Sequence, residues 1–120
     1  MMSNLERLFM LQLELMDALE IPRSGKEGVD VYSDYFLAAC IGLSVEASEV
    51  LDEINIATRP WATKDDREVR EALAREAIDA FFYFIEIMIL LGISPQRTVQ
   101  LYEEKWKINM RRASEKSKES

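Results

Sequence analysis

At 120 residues, 48% of them hydrophobic, the chain is long enough for one domain that buries roughly two-thirds of the surface its unfolded form exposes. A formal net charge of −7 disfavours long contacts with a phosphate backbone, so nucleic acid is not an expected partner. The absence of histidine excludes His-containing triads, the usual zinc sites and Glu-x-x-His di-iron motifs, which leaves carboxylates, amines, guanidiniums and bound water to do any chemistry.

Taken in chain order, the hydrophobic periodicity breaks at the glycines and prolines other than Gly42 and marks four helices without a strand. The first is expected from about Asn4 to Leu19, ended by Ile21, Pro22 and Gly25, with a polar loop following through Gly28. Ser33 can cap a second helix running to about Ile56, and residues 58–63 form its exit loop. Cys40 lies on this helix among Leu37, Ala38, Ala39 and Ile41 and reads as a small core residue; with no second cysteine, no internal disulfide can form. Thr63 as cap, with Asp65 and Asp66 in the first turn, suits a long third helix ended by Gly92. Ser94 and Pro95 then read as cap and first position of a fourth. The expected architecture is all-α, an antiparallel four-helix bundle spanning residues 1–113, with residues 114–120 a charged, disordered tail.

The third helix is apolar nearly all round from Ile78 to Leu91, which points to burial in a core or between subunits, and that run is too short to span a bilayer. Its polar exceptions, Glu76, Asp79, Tyr83 and Glu86, are spaced by three, four and three and so form one stripe. No signal-peptide pattern opens the chain, and a reducing cytoplasm is the expected location.

Glu46 and Glu49 on the second helix share a face, as do Glu76 and Asp79 on the third. Alone, either pair reads as solvated surface charge. On antiparallel neighbours the two pairs can converge, and converging acids repel unless a cation or protons neutralise them. An oxygen-only ligand set suits Mg2+, with Mn2+ a possible substitute. On the last helix, Lys105, Asn109 and Arg112 are spaced by four and three, which places an ammonium, an amide and a guanidinium on one face suited to phosphate oxygens. A basic helix end complementing the dipole would explain the charges but not the asparagine.

From Leu37 to Arg112 the chain resembles the all-α nucleoside triphosphate pyrophosphohydrolases, the superfamily of MazG and the dimeric dUTPases, marked by Glu-x-x-Glu followed by Glu-x-x-Asp. Here these are Glu46-Ala-Ser-Glu49 and Glu76-Ala-Ile-Asp79, and Lys105, Asn109 and Arg112 match the spacing of the dimeric dUTPase branch. The resemblance implies a magnesium site at Glu46, Glu49, Glu76 and Asp79, with Glu49 the candidate to orient or deprotonate water. Between the motifs, Arg59 and Trp61 resemble the family's basic residue and nearby tryptophan, with Lys64 a second basic candidate; Trp61 reads equally well as a base contact or as a lid over the core. Gln12 resembles the glutamine that dimeric dUTPases place near uracil, or else sits on the polar side of an amphipathic helix.

The implied reaction cleaves a nucleoside triphosphate between its α- and β-phosphates, most simply dUTP to dUMP and pyrophosphate, in a homodimer or higher homo-oligomer. Lys105, Asn109, Arg112 and Arg59 would hold the phosphates. A polar residue common in dimeric dUTPases is replaced by Met16, so base selection is expected to be looser than in a dedicated dUTPase. The alternatives are a MazG-type enzyme acting on several triphosphates and a non-catalytic helical interaction module whose acids are merely solvated.

Overall fold

The computed structural model of the protein describes residues 1–21, 30 and 33–119, with side chains described as far as 117. Its first helix, α1 (Asn4–Ala18), begins at Ser3, whose hydroxyl accepts from the Glu6 amide at 3.1 Å and lies 3.2 Å from the Glu6 carboxylate. That cap satisfies an amide the first turn leaves without a helical partner. The helix stops before Pro22 and Gly25, which fall, with the loop through Gly28, outside the described residues. Glu20 instead turns the chain, with φ 57°: its amide donates to the Asp17 carbonyl while the Ile21 amide donates to that of Met16. These are the paired bonds of a Schellman end, built here on a residue for which the left-handed region costs roughly 1–2 kcal/mol.

Ser33 caps α2 (Asp34–Ala57) by accepting from the Phe36 amide at 3.3 Å. The cap of α3 (Asp66–Leu90) is Asp65, not Thr63, with its carboxylate 2.9 Å from the Glu68 amide. A charged acceptor at the positive end of the helix dipole makes the stronger cap. The helix closes at Gly92, φ 75°, by the same two bonds seen at Glu20 but at a residue that adopts this conformation freely. The Ser94 hydroxyl accepts from the Arg97 amide at 3.0 Å, and α4 (Pro95–Glu119) starts at the proline.

All-α character holds, with four helices and no strand among the described residues. Helices α2 and α3 pair antiparallel: Lys64 just before α3 reaches Glu53, Glu46 meets Glu76 and Asp79, and Ala39 packs with Leu90. Helix α1 lies chiefly on α3, so Met16, Ala39 and Leu90 meet where three helices converge, with Ile21, Phe36, Ile87 and Ile89 around them.

The expected bundle is not completed by α4. After Gly92 the chain turns by 108°, and the substantial packing of α4 is against α1 alone. Val99, Tyr102, Trp106 and Met110 remain exposed along it. Nor is the charged end irregular, since helix continues through Glu119; no glycine or proline follows Pro95 to interrupt it. The radius of gyration is 17.9 Å, against about 13.6 Å for a compact chain of this length. Among the described residues, no single helix is long and apolar enough to cross a membrane.

Candidate functional site

The antiparallel register of α2 and α3 sets one acid of α2 against two acids a turn apart on α3. Glu46, Glu76 and Asp79 each bring a carboxylate oxygen within 4.8 Å of the others. Glu46 and Glu76 are half-buried and Asp79 is exposed, so the cluster sits at the surface end of the helix pair. Glu49 is half-buried beside it but outside that group of three. The Glu76 carboxyl is raised above the ordinary carboxylate range, first by partial removal from water and then by the charges of Asp79, Glu49, Glu46 and Glu53. Four neighbouring acids thus oppose its ionisation, as expected of like charges held close together.

The donor set fits a hard divalent ion. Oxygens on opposite sides of such an ion are about 4.2 Å apart for magnesium and about 5 Å for calcium, so the observed spacing needs only a small side-chain rotation to close on magnesium. Lys64, a sequence candidate for phosphate, is committed elsewhere: its ammonium lies 2.7 Å from the Glu53 carboxylate, which is itself only 14% exposed.

From the acids a cavity of about 490 Å³ runs between α1, α2 and α3. Glu46 and Asp79 line it, as do Tyr83 and Glu86 further along α3, so the polar stripe legible in the sequence faces this space. Glu86 lies two turns from Asp79, about 10 Å along the helix axis. Leu15, Leu19, Ile21, Tyr35 and Phe82 provide apolar and aromatic wall, and Gln12 enters from α1. The volume and the mostly apolar lining with a few polar groups suit a small organic ligand.

Two details shape the cavity. Tyr83 lies so close to Gly42 that a Cβ at that position would overlap the tyrosine ring. Glycine therefore allows the ring to rest against the backbone of α2, and a larger residue would push it into the cavity. Gln12 is 4% exposed, and its side-chain oxygen has no hydrogen-bond partner among the described residues. This places Gln12 in the cavity wall, not on a solvated helix face.

Of the residues singled out from sequence, the structure brings together Glu46, Glu76 and Asp79, with Glu49 alongside and Gln12 in the same cavity. It does not bring in the rest. Arg59 and Trp61 lie in the turn between α2 and α3, the guanidinium 5.9 Å from the indole centroid. Trp61 is 72% exposed, so it is neither a lid over the core nor part of the cavity wall. Lys105, Asn109 and Arg112 are exposed on α4, away from the α2–α3 pair. Tyr83, Glu86, Tyr35 and Phe82 were not among the sequence candidates for ligand contact. The first two were legible as members of the α3 stripe; Tyr35 and Phe82 carry no signal beyond ordinary core aromatics. No protein family, curated protein or solved structure matches the chain.

Proposed function

We propose that the protein is a magnesium-dependent nucleoside triphosphate pyrophosphohydrolase, acting as a homodimer and accepting dUTP among its best substrates. One observation carries the reading: two acids of a triad suited to a divalent ion, Glu46 and Asp79, line a cavity of nucleoside size that has an unpartnered amide oxygen in its wall. Glu46, Glu76 and Asp79 hold the ion, which supplies Lewis acidity and charge neutralisation to the phosphates. Glu49, beside the triad but outside it, takes a proton from the attacking water in this reading. The water oxygen joins the α-phosphorus, the bond from that phosphorus to the bridging oxygen breaks, and pyrophosphate leaves. Tyr83 and Tyr35 flank the sugar and base in the cavity.

Dimerisation is part of the proposal because the phosphate-facing set on α4 does not meet the acids of its own chain. The chain exposes 9411 Å², against about 6,700 Å² for a compact monomer of 13.9 kDa. Charge favours the same docking: α4 carries seven Lys and Arg against four Glu, while the rest of the chain carries eight basic against 18 acidic residues. A second copy that lays α4 across the α2–α3 face covers exposed Ile41, Val45 and Ile78 with Tyr102, Trp106 and Met110, and delivers Lys105, Asn109 and Arg112 to the acids.

The test is pyrophosphate release from a panel of nucleoside triphosphates with and without magnesium. Magnesium-dependent release, best or near best with dUTP and measurable with dCTP or dTTP, is expected. Equal turnover of purine triphosphates would favour the broader MazG-type reading, and no release from any nucleotide would leave a helical interaction module.

A further inference from the structure

Glu86 has no place in the chemistry above. It is 8% exposed, in the most apolar stretch of α3, between buried Ile85 and half-buried Ile87. Among the described residues no hydrogen bond or ion pair serves its carboxyl, and burial pushes that carboxyl above the ordinary range. Burying an unpartnered carboxyl in an apolar helix disfavours folding, and an aliphatic residue of similar size would pack there without that cost. Gln12 goes further from α1: it is more than nine-tenths buried, and its side-chain oxygen is shut off from solvent with no partner among the described residues. Both side chains line one cavity.

A carboxyl that keeps its proton and an amide oxygen, both on one cavity and without partners among the described residues, are together complementary to a ligand edge that sets an N–H beside a carbonyl oxygen. We infer that Glu86 is a base-binding residue: its carboxyl O–H donates to a ring carbonyl of the substrate base while the Gln12 side-chain oxygen accepts the adjacent ring N–H. Uracil and thymine present that imide edge. The inference rests on the proposed nucleotide site, because the acids at the other end of the cavity orient the triphosphate so that the base enters first. Glu86, about 10 Å along α3 from Asp79, then lies at the depth of the base and not of the phosphates. Loss of such a contact strands the remaining partner in a buried site, which makes it visible in affinity.

Titration calorimetry with magnesium, using α,β-imido-dUTP and inorganic tripolyphosphate, separates the two ends of the site. Tripolyphosphate reports the metal and phosphate end alone; the ratio of the two affinities reports the base. In the parent the analogue should bind at least about tenfold tighter. Glu86→Leu should narrow that ratio by about tenfold while tripolyphosphate binding stays unchanged, and Glu86→Gln, which keeps a donor and an acceptor, should largely preserve it. An unaltered thermal midpoint or a higher one in Glu86→Leu shows that folding is not the cause; if that variant does not fold, Gln12→Leu carries the same expectation. A ratio that survives Glu86→Leu or its substitute overturns the inference and leaves the proposed function standing. A parent that binds neither ligand in magnesium overturns both.

Discussion

The α2–α3 pair and α4 carry the two halves of the sequence pattern in opposite structural circumstances. Glu46, Glu76 and Asp79 converge inside one chain because two helices joined by a short turn pack antiparallel, which makes spacing on each helix translate into proximity between them. Lys105, Asn109 and Arg112 share a face just as regularly, yet their helix leaves α3 at 108° and, among the described residues, meets no acid cluster. Helical periodicity therefore reports which residues share a face in both regions. It reports what that face meets only where the neighbouring helix is set by a short connection.

The sharpest break in this comparison comes from the acids. Asp79→Asn or Glu46→Gln should lower pyrophosphate release by about a hundredfold or more, the scale on which loss of metal or charge stabilisation is felt. The same substitutions should abolish the rise in thermal midpoint that magnesium gives the parent by binding the folded state. Parent-like turnover together with a melting curve indifferent to magnesium would remove the metal site altogether.

A smaller effect is expected from α4. Lys105→Ala or Arg112→Ala should reduce turnover by about tenfold or more while leaving the thermal midpoint nearly unchanged, since both side chains are exposed. Mixing subunits sharpens the point. If α4 serves the partner's acids, equal amounts of nearly inactive Asp79→Asn and impaired Lys105→Ala chains should together reach about a quarter of parental activity, above either variant alone, because half of randomly formed dimers pair one of each and contain one intact site of two. No recovery after verified subunit exchange would mean that α4 does not reach across.

What was legible in the sequence follows the same division. Helix starts were readable wherever a hydroxyl or carboxylate stands just before an apolar run, as Ser33 and Ser94 do; the error at Thr63 arose because Asp65, two residues on, is a better acceptor at the same dipole. The end of α1 near Leu19 was legible, but its device was not: glycine and proline are the expected punctuation, whereas Glu20 takes the left-handed turn itself. The acids were legible as pairs and the α3 stripe as a face turned to something polar. The shape of that polar space was not, because it depends on Gly42 making room for Tyr83 and on Gln12 arriving from a third helix. Nothing in the α4 pattern could show its direction, which is settled by the turn at Gly92 and Ser94.

The smallest expected effect concerns Glu86 and belongs to the α2–α3 side of the comparison, where burial rather than neighbouring charge sets the protonation state. Desolvation raises the Glu86 carboxyl above its ordinary value of 4.5, so the folded chain holds this proton more tightly than the unfolded chain does. The stabilisation from that group is complete below the ordinary value and is lost as pH climbs from there through the raised one. Glu86→Gln has no proton to lose and should escape this decline. The variant's thermal midpoint relative to the parent should therefore increase between about pH 4.5 and neutrality. Glu46 and Asp79 line the same cavity, as do Tyr35 and Tyr83, but these groups are common to both proteins and cancel from the difference. A midpoint difference that stays flat across that range would mean that Glu86 is solvated when folded, and the cavity would then lack the dry inner end that base recognition needs.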